Sequence, residues 1–81
     1  MWRAKLILNA GETLKFEESQ TKGFMGEKEI DLYSVVRSDG TKAGTVSVSD
    51  HTAVRGFRRT ISVLQRDTSG KTIVDVQFNP S

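Results

Sequence analysis

IDLYSVVRSDGTKAGTVSVSD, residues 30–50, sets two β-prone runs on either side of Ser38-Asp39-Gly40-Thr41. Ile30–Arg37 and Lys42–Ser49 are rich in β-branched residues, and Asp-Gly between such runs is a strong short-range hairpin signal. A helix over Glu27–Val36 competes on spacing, since Ile30, Tyr33 and Val36 recur every third residue. The crowding of β-branched and aromatic side chains and the turn that follows favour a strand. A Ser38-Asp39-Gly40 loop with Gly40 in the left-handed region sets Leu32 against Val46 and Ile30 against Val48. A tighter Asp39-Gly40 loop is disfavoured, because it places Arg37 opposite Lys42.

Working outward, the chain on both sides alternates. Trp2–Asn9 places Trp2, Ala4, Leu6 and Leu8 on one side and Arg3 and Lys5 on the other, which reads as a half-buried strand. Asn9-Ala10-Gly11 is a turn. Glu12–Ser19 alternates again with Leu14 and Phe16, so the two segments are expected to form a first hairpin. Gln20–Glu29 breaks the pattern and reads as a long loop, with Gly23 and Gly26 bracketing Phe24-Met25. Asp50–Gly56 suits a single helical turn, Asp50 capping it and Gly56 ending it. Arg58–Arg66 and Lys71–Phe78 make a last hairpin around Asp67-Thr68-Ser69-Gly70. Pairing across that loop sets Val63 against Val74 and Ile61 against Val76, with Leu64 and Ile73 as neighbours on the other face. The expected fold is all-β: one domain over residues 1–81, an antiparallel meander of about six strands in three hairpins. It is expected to close as a small barrel or to fold into a two-sheet sandwich.

Composition narrows the chemistry. The 81 residues carry a net charge of +2 and no Cys, which excludes disulfides and thiolate metal sites and leans toward the cytoplasm. The longest apolar run is Leu6-Ile7-Leu8, far short of a membrane span. Residues 1–40 hold six Lys/Arg against seven Asp/Glu, and residues 41–81 hold six against three. That asymmetry is mild for a polyanion binder.

General acid–base or nucleophilic catalysis needs convergent titratable groups, and the chain offers one His and no Cys. His51 adjoins Asp50, but neighbours on a strand point apart, so a cap and a solvated turn residue account for the pair. Ser47, Ser49, Thr60 and Ser62 are ordinary residues of an exposed strand face. The glycines around Phe24-Met25 lack the Lys-Ser/Thr of a phosphate-binding loop. No catalytic residue, metal site or cofactor is therefore expected.

Two segments stand out for recognition. Phe24 and Met25 are large apolar groups in a polar stretch, and each is costly to leave in water, by about 1.5–3 kcal/mol. They read either as a lid on the core or as a contact patch for another protein. VRGFRR, residues 54–59, gathers Arg55, Arg58 and Arg59 around Phe57, a composition that can stack a base and hold phosphate. The leading expectation is a non-enzymatic protein-binding module acting through Phe24, Met25 and a sheet surface, in an adaptor, inhibitor or immunity-type role. The alternative is a weak nucleic-acid-binding barrel using Arg55, Phe57, Arg58 and Arg59. A second copy of the chain is a further candidate partner.

Overall fold

The computed structural model describes residues 2–23, 26–53 and 58–79. The architecture is all-β: five antiparallel strands in one sheet, in sequence order. They are β1 (Thr13–Lys22), β2 (Lys28–Val36), β3 (Lys42–Thr52), β4 (Arg59–Asp67) and β5 (Thr72–Phe78). The sheet is open, with β1 and β5 as its two edges, and so closes into no barrel. Among the described residues, no helix is long and apolar enough to cross a membrane.

The sixth expected strand is where expectation and structure part. Trp2–Lys5 is a 3₁₀ turn, closed by Leu6 N–H donating to the Arg3 carbonyl at 3.2 Å. The first hairpin therefore does not form. Trp2 and Leu6 stand four residues apart, a spacing that fits a helical turn as well as a strand. Arg, Ala and Lys between them favour strands weakly. Added to the edge of the sheet, this segment would leave an apolar face in water. Laid across that face, it buries both surfaces. Trp2 and Leu6 pack on the cluster of Val35, Val46, Val48, Ile61 and Val63, and Val74 is buried beside it.

The segment is fixed by specific contacts. The Trp2 and Tyr33 rings lie 5.2 Å apart, and Phe16 meets Tyr33 edge-on at 5.5 Å. The Arg3 guanidinium stacks over Trp2, and the Lys5 ammonium sits 5.0 Å from the Phe78 ring centre. Both cations keep their heads in water while their stems cover apolar surface. Gln65, 2% exposed, lies on this same face. Its Nε2 donates to the Ile7 carbonyl at 2.8 Å, and its Oε1 accepts from the Ile7 N–H at 2.9 Å.

Both hairpin registers differ from the expected ones, the central one through a bulge and the last one through a bulge and a loop one residue shorter than Asp67–Gly70. Gly40 and Gly70 each take φ 88°. Each closes a turn in which its N–H donates three residues back, to Arg37 or to Asp67, at 2.9 and 3.0 Å. In each hairpin a β-bulge follows, at Ala43 between the Val36↔Lys42 and Val35↔Gly44 pairs, and at Ile73 between Arg66↔Thr72 and Gln65↔Val74. In the central hairpin the extra residue reverses which side chains face which way, while in the last one the shorter loop and the bulge together keep the expected faces. The central bulge sets Tyr33 against Val46 in place of Leu32, and Ile30 against Ser49 in place of Val48. In the last hairpin Ile61 faces Phe78, Val63 faces Val76, and Leu64 faces Asp75 rather than Ile73. Without the bulges, Tyr33 and Val35 would leave the face that Trp2 and Leu6 cover.

Three further corrections follow. Gln20–Lys22 and Lys28–Glu29 belong to strands, so the expected long loop shrinks to the Gly23–Glu27 connection. Asp50–Thr52 continue β3, so Asp50 caps no helical turn. The rest of that expected turn, at residues 54–56, lies outside the described residues. The two-sheet sandwich gives way to one sheet with a peptide strap across it.

Gly44 marks the closest approach of two strands. A Cβ there would overlap the Arg66 carbonyl oxygen and stand 3.3 Å from the Asp67 Cα, both backbone atoms of β4. The substitution Gly44→Ala is expected to destabilise the fold by about 1–3 kcal/mol, the usual cost of overpacking. Denaturant unfolding reads this directly, and an unchanged midpoint would refute the close approach.

Candidate functional site

Facing residues of antiparallel strands share a side, so the register divides the sheet into a covered and an uncovered face. The uncovered face is laid out in rows across the strands. One row runs Glu18, Leu32, Ser47, Leu64, Asp75. The next runs Gln20, Ile30, Ser49, Ser62, Gln77. On the other side of the first lies Lys15, Ser34, Thr45, Arg66, Thr72. Alternation produced much of this: Val46, Val48 and Ile61 point inward and are followed by Ser47, Ser49 and Ser62 outward.

The face is hollowed where the first and third of these rows meet. A cleft of about 340 Å³ is lined by Leu32, Ser34, Ser47, Leu64 and Arg66, with Glu17 and Glu18 at its β1 side. Glu17 is there because of a bulge: the ladder passes from Phe16↔Tyr33 to Glu18↔Leu32 and leaves Glu17 unpaired. Its Oε2 accepts from Ser34 Oγ at 2.6 Å, which accounts for a hydroxyl that is buried on the open face. A second, more open hollow of about 420 Å³ continues the cleft along Ile30, Ser49 and Ser62.

The end of the sheet that carries the β1–β2 and β3–β4 connections differs from the rest. On the uncovered side, Lys22 faces Lys28 and Lys28 faces His51. On the covered side, Glu29 faces Asp50. Like charges set opposite each other cost stability, and on the covered side Arg59 offsets that cost. Its Nε donates to both Asp50 oxygens at 2.9 and 3.0 Å, and its Nη2 donates to Asp50 Oδ2. This hydrogen bonding, chiefly, holds the Asp50 carboxyl below the usual carboxylate range and raises the Arg59 guanidinium.

Of the residues singled out in the sequence, Phe24, Met25, Arg55 and Phe57 lie outside the described residues. Their flanks do not. Gly26 N–H donates to the Gly23 carbonyl at 3.3 Å, and Thr52 N–H to the Glu27 carbonyl at 2.8 Å. Ala53 N–H donates to the Arg58 carbonyl at 2.8 Å. The two connections thus leave the same end of the sheet, side by side. Arg58 is exposed, and Arg59 is committed to Asp50. Ser47, Ser49, Thr60 and Ser62 lie on the uncovered face, as their alternation implies. The cleft itself escaped the sequence reading. Its one legible trace was Glu17-Glu18, two consecutive acids where alternation fails.

Among the described residues, no group of three His, Asp or Glu side chains is placed to hold a metal ion. The resolved shifts in acidity fall on Asp39 and Asp67 in the hairpin turns and on the Asp50–Arg59 pair, none of them in the cleft. No protein-family model, no curated protein and no solved structure matches the chain.

The Asp50–Arg59 pair has a defined pH signature. A carboxyl whose folded value is lowered contributes stability above the usual carboxylate range and loses it as pH falls through the lowered value. Replacing Asp50→Asn is expected to lower the melting temperature at neutral pH. The deficit should shrink toward zero in strong acid, and added salt should reduce it at neutral pH. A deficit that is constant with pH would show that the pair contributes packing alone.

Proposed function

We propose that this protein is a non-enzymatic protein-binding module, and that the uncovered face of the sheet is its recognition surface. The supporting observation is the asymmetry of the sheet. Among the described residues, the N-terminal segment covers one face, and the other is hollowed and uncovered. The Leu32-Ser47-Leu64 row gives that face an apolar centre with hydroxyls, and Glu18 and Asp75 close it at either end. Four inter-strand steps separate those acids, about 19 Å. The surface that complements such a row is apolar in the middle and cationic at both ends. Phe24 and Met25, which fall between β1 and β2 in the sequence, are proposed as a second part of the contact.

The nucleic-acid reading draws on a different feature, the Lys22-Lys28-His51 row beside Arg58. Single-stranded nucleic acid is held by a cationic groove together with aromatic rings on which its bases stack. Among the described residues, the aromatic side chains Trp2, Phe16, Tyr33 and Phe78 all serve the covered face. Among the described residues the uncovered face presents none, which favours the protein-binding reading.

Ser47 sits at the middle of the row, so Ser47→Arg fills the cleft while leaving the covered core untouched. Affinity capture with wild type, Ser47→Arg and the Phe24→Ala/Met25→Ala double variant separates the readings. The expected result is a protein retained by wild type, insensitive to nuclease and only weakly to salt, and lost with either variant at unchanged melting temperature. Capture that disappears with nuclease and falls steeply with salt would replace this reading with the nucleic-acid one.

A further inference from the structure

The two edges of the sheet are built differently. β1 carries Lys15, Glu17, Glu18 and Lys22 and is broken by the bulge at Glu17. Charges and bulges of this kind keep an edge from pairing. β5, TIVDVQF, has one charged residue, Asp75, and its pairing with β4 is regular from Val74 to Phe78. Ile73 at its start is 40% exposed. Among the described residues, no backbone group from elsewhere in the chain bonds to the outer side of β5.

We propose that β5 is a self-pairing edge, joining two copies of this chain about a two-fold axis into one continuous ten-stranded sheet. Such an axis stands normal to the sheet and sets one residue opposite itself, so covered and uncovered faces stay aligned. Few registers are available. An axis at Asp75 sets two carboxylates opposite each other. An axis at Gln77 leaves only Val76–Phe78 paired within the strand. An axis at Val76 keeps Val74–Phe78 paired within the strand and sets no carboxylates opposite each other. It sets Val76 against Val76 of the second copy, and Val74 against Phe78 twice over, so the covered apolar face continues across the junction. On the uncovered side Asp75 meets Gln77 of the second copy, also twice, and an amide can donate to that carboxylate. β-branched and aromatic residues opposite one another are favourable cross-strand pairs. The sequence of β5 is therefore complementary to itself in one register. A ladder of five residues, Val74–Phe78, buries little area, so the association is weak and depends on concentration.

Asp75 and Gln77 are exposed, so they can be exchanged without disturbing the core. Sedimentation velocity across a concentration series is the test, on wild type, Gln77→Lys and Gln77→Glu. Wild type is expected to show a monomer–dimer equilibrium. Gln77→Lys, which gives each Asp75 a cation across the junction, should tighten it about tenfold at low salt, and Gln77→Glu should weaken it about tenfold. The charge exchange Asp75→Lys/Gln77→Glu should restore the dimer. A monomer in wild type and Gln77→Lys alike overturns the proposal and leaves the edge to some other strand. A dimer that none of the changes affects overturns it too, by placing the contact elsewhere.

Discussion

The Gln65 amide exchanges two hydrogen bonds with the backbone of Ile7, in the middle of an apolar face. A buried amide without partners costs about 1–3 kcal/mol. Nearly every neighbour of Gln65 on that face is aliphatic or aromatic. Its needs are met by one residue of an irregular segment that belongs to no strand. The bond pair therefore does more than add stability. It specifies where the segment crosses, which puts Trp2 on Tyr33 and Lys5 over Phe78. The apolar contacts supply the larger area, and the amide supplies the position.

From that placement the remaining structure follows. With one face covered, the sheet needs no second layer and no closure into a barrel. The strands must then present their apolar residues to the covered side, and the turns alone would not do this. The turns at Gly40 and Gly70 would each bring the wrong parity into the hairpin. Bulges at Ala43 and Ile73 correct it, so Val46, Val63 and Val74 share a side with Tyr33 and Val35. The same corrections send Leu32, Ser47 and Leu64 outward. The bare face and its cleft are the other side of the covered core.

Residues 30–50 and 58–78 were legible as hairpins because alternation and turn chemistry agree there. The face carrying Ile61, Val63, Val74 and Val76 was legible for the same reason. Register was not, because a bulge needs only one extra residue and leaves no distinct mark in the sequence. Trp2–Leu8 misled for a physical reason: positions 2 and 6 fall on one side in both a strand and a helical turn. Gln65 alternated with Val63 as a core position, yet a polar residue there signals a partner without saying which one. At the candidate site, the hydroxyl-rich face was legible from Ser47, Ser49 and Ser62. The cleft was not, since it depends on Glu17 turning over Ser34.

Amide hydrogen exchange at Ile7 tests the central claim most directly. Ile7 is 56% exposed and lies in no strand, so by its surroundings alone its N–H should exchange at nearly the unprotected rate. If the Gln65 amide holds the segment across the sheet, that N–H opens only when the strap lifts. Its protection should then approach that of the β-ladder amides, and Gln65→Leu should abolish it while the ladder amides stay protected. An Ile7 amide that exchanges freely in the wild-type chain would contradict the account.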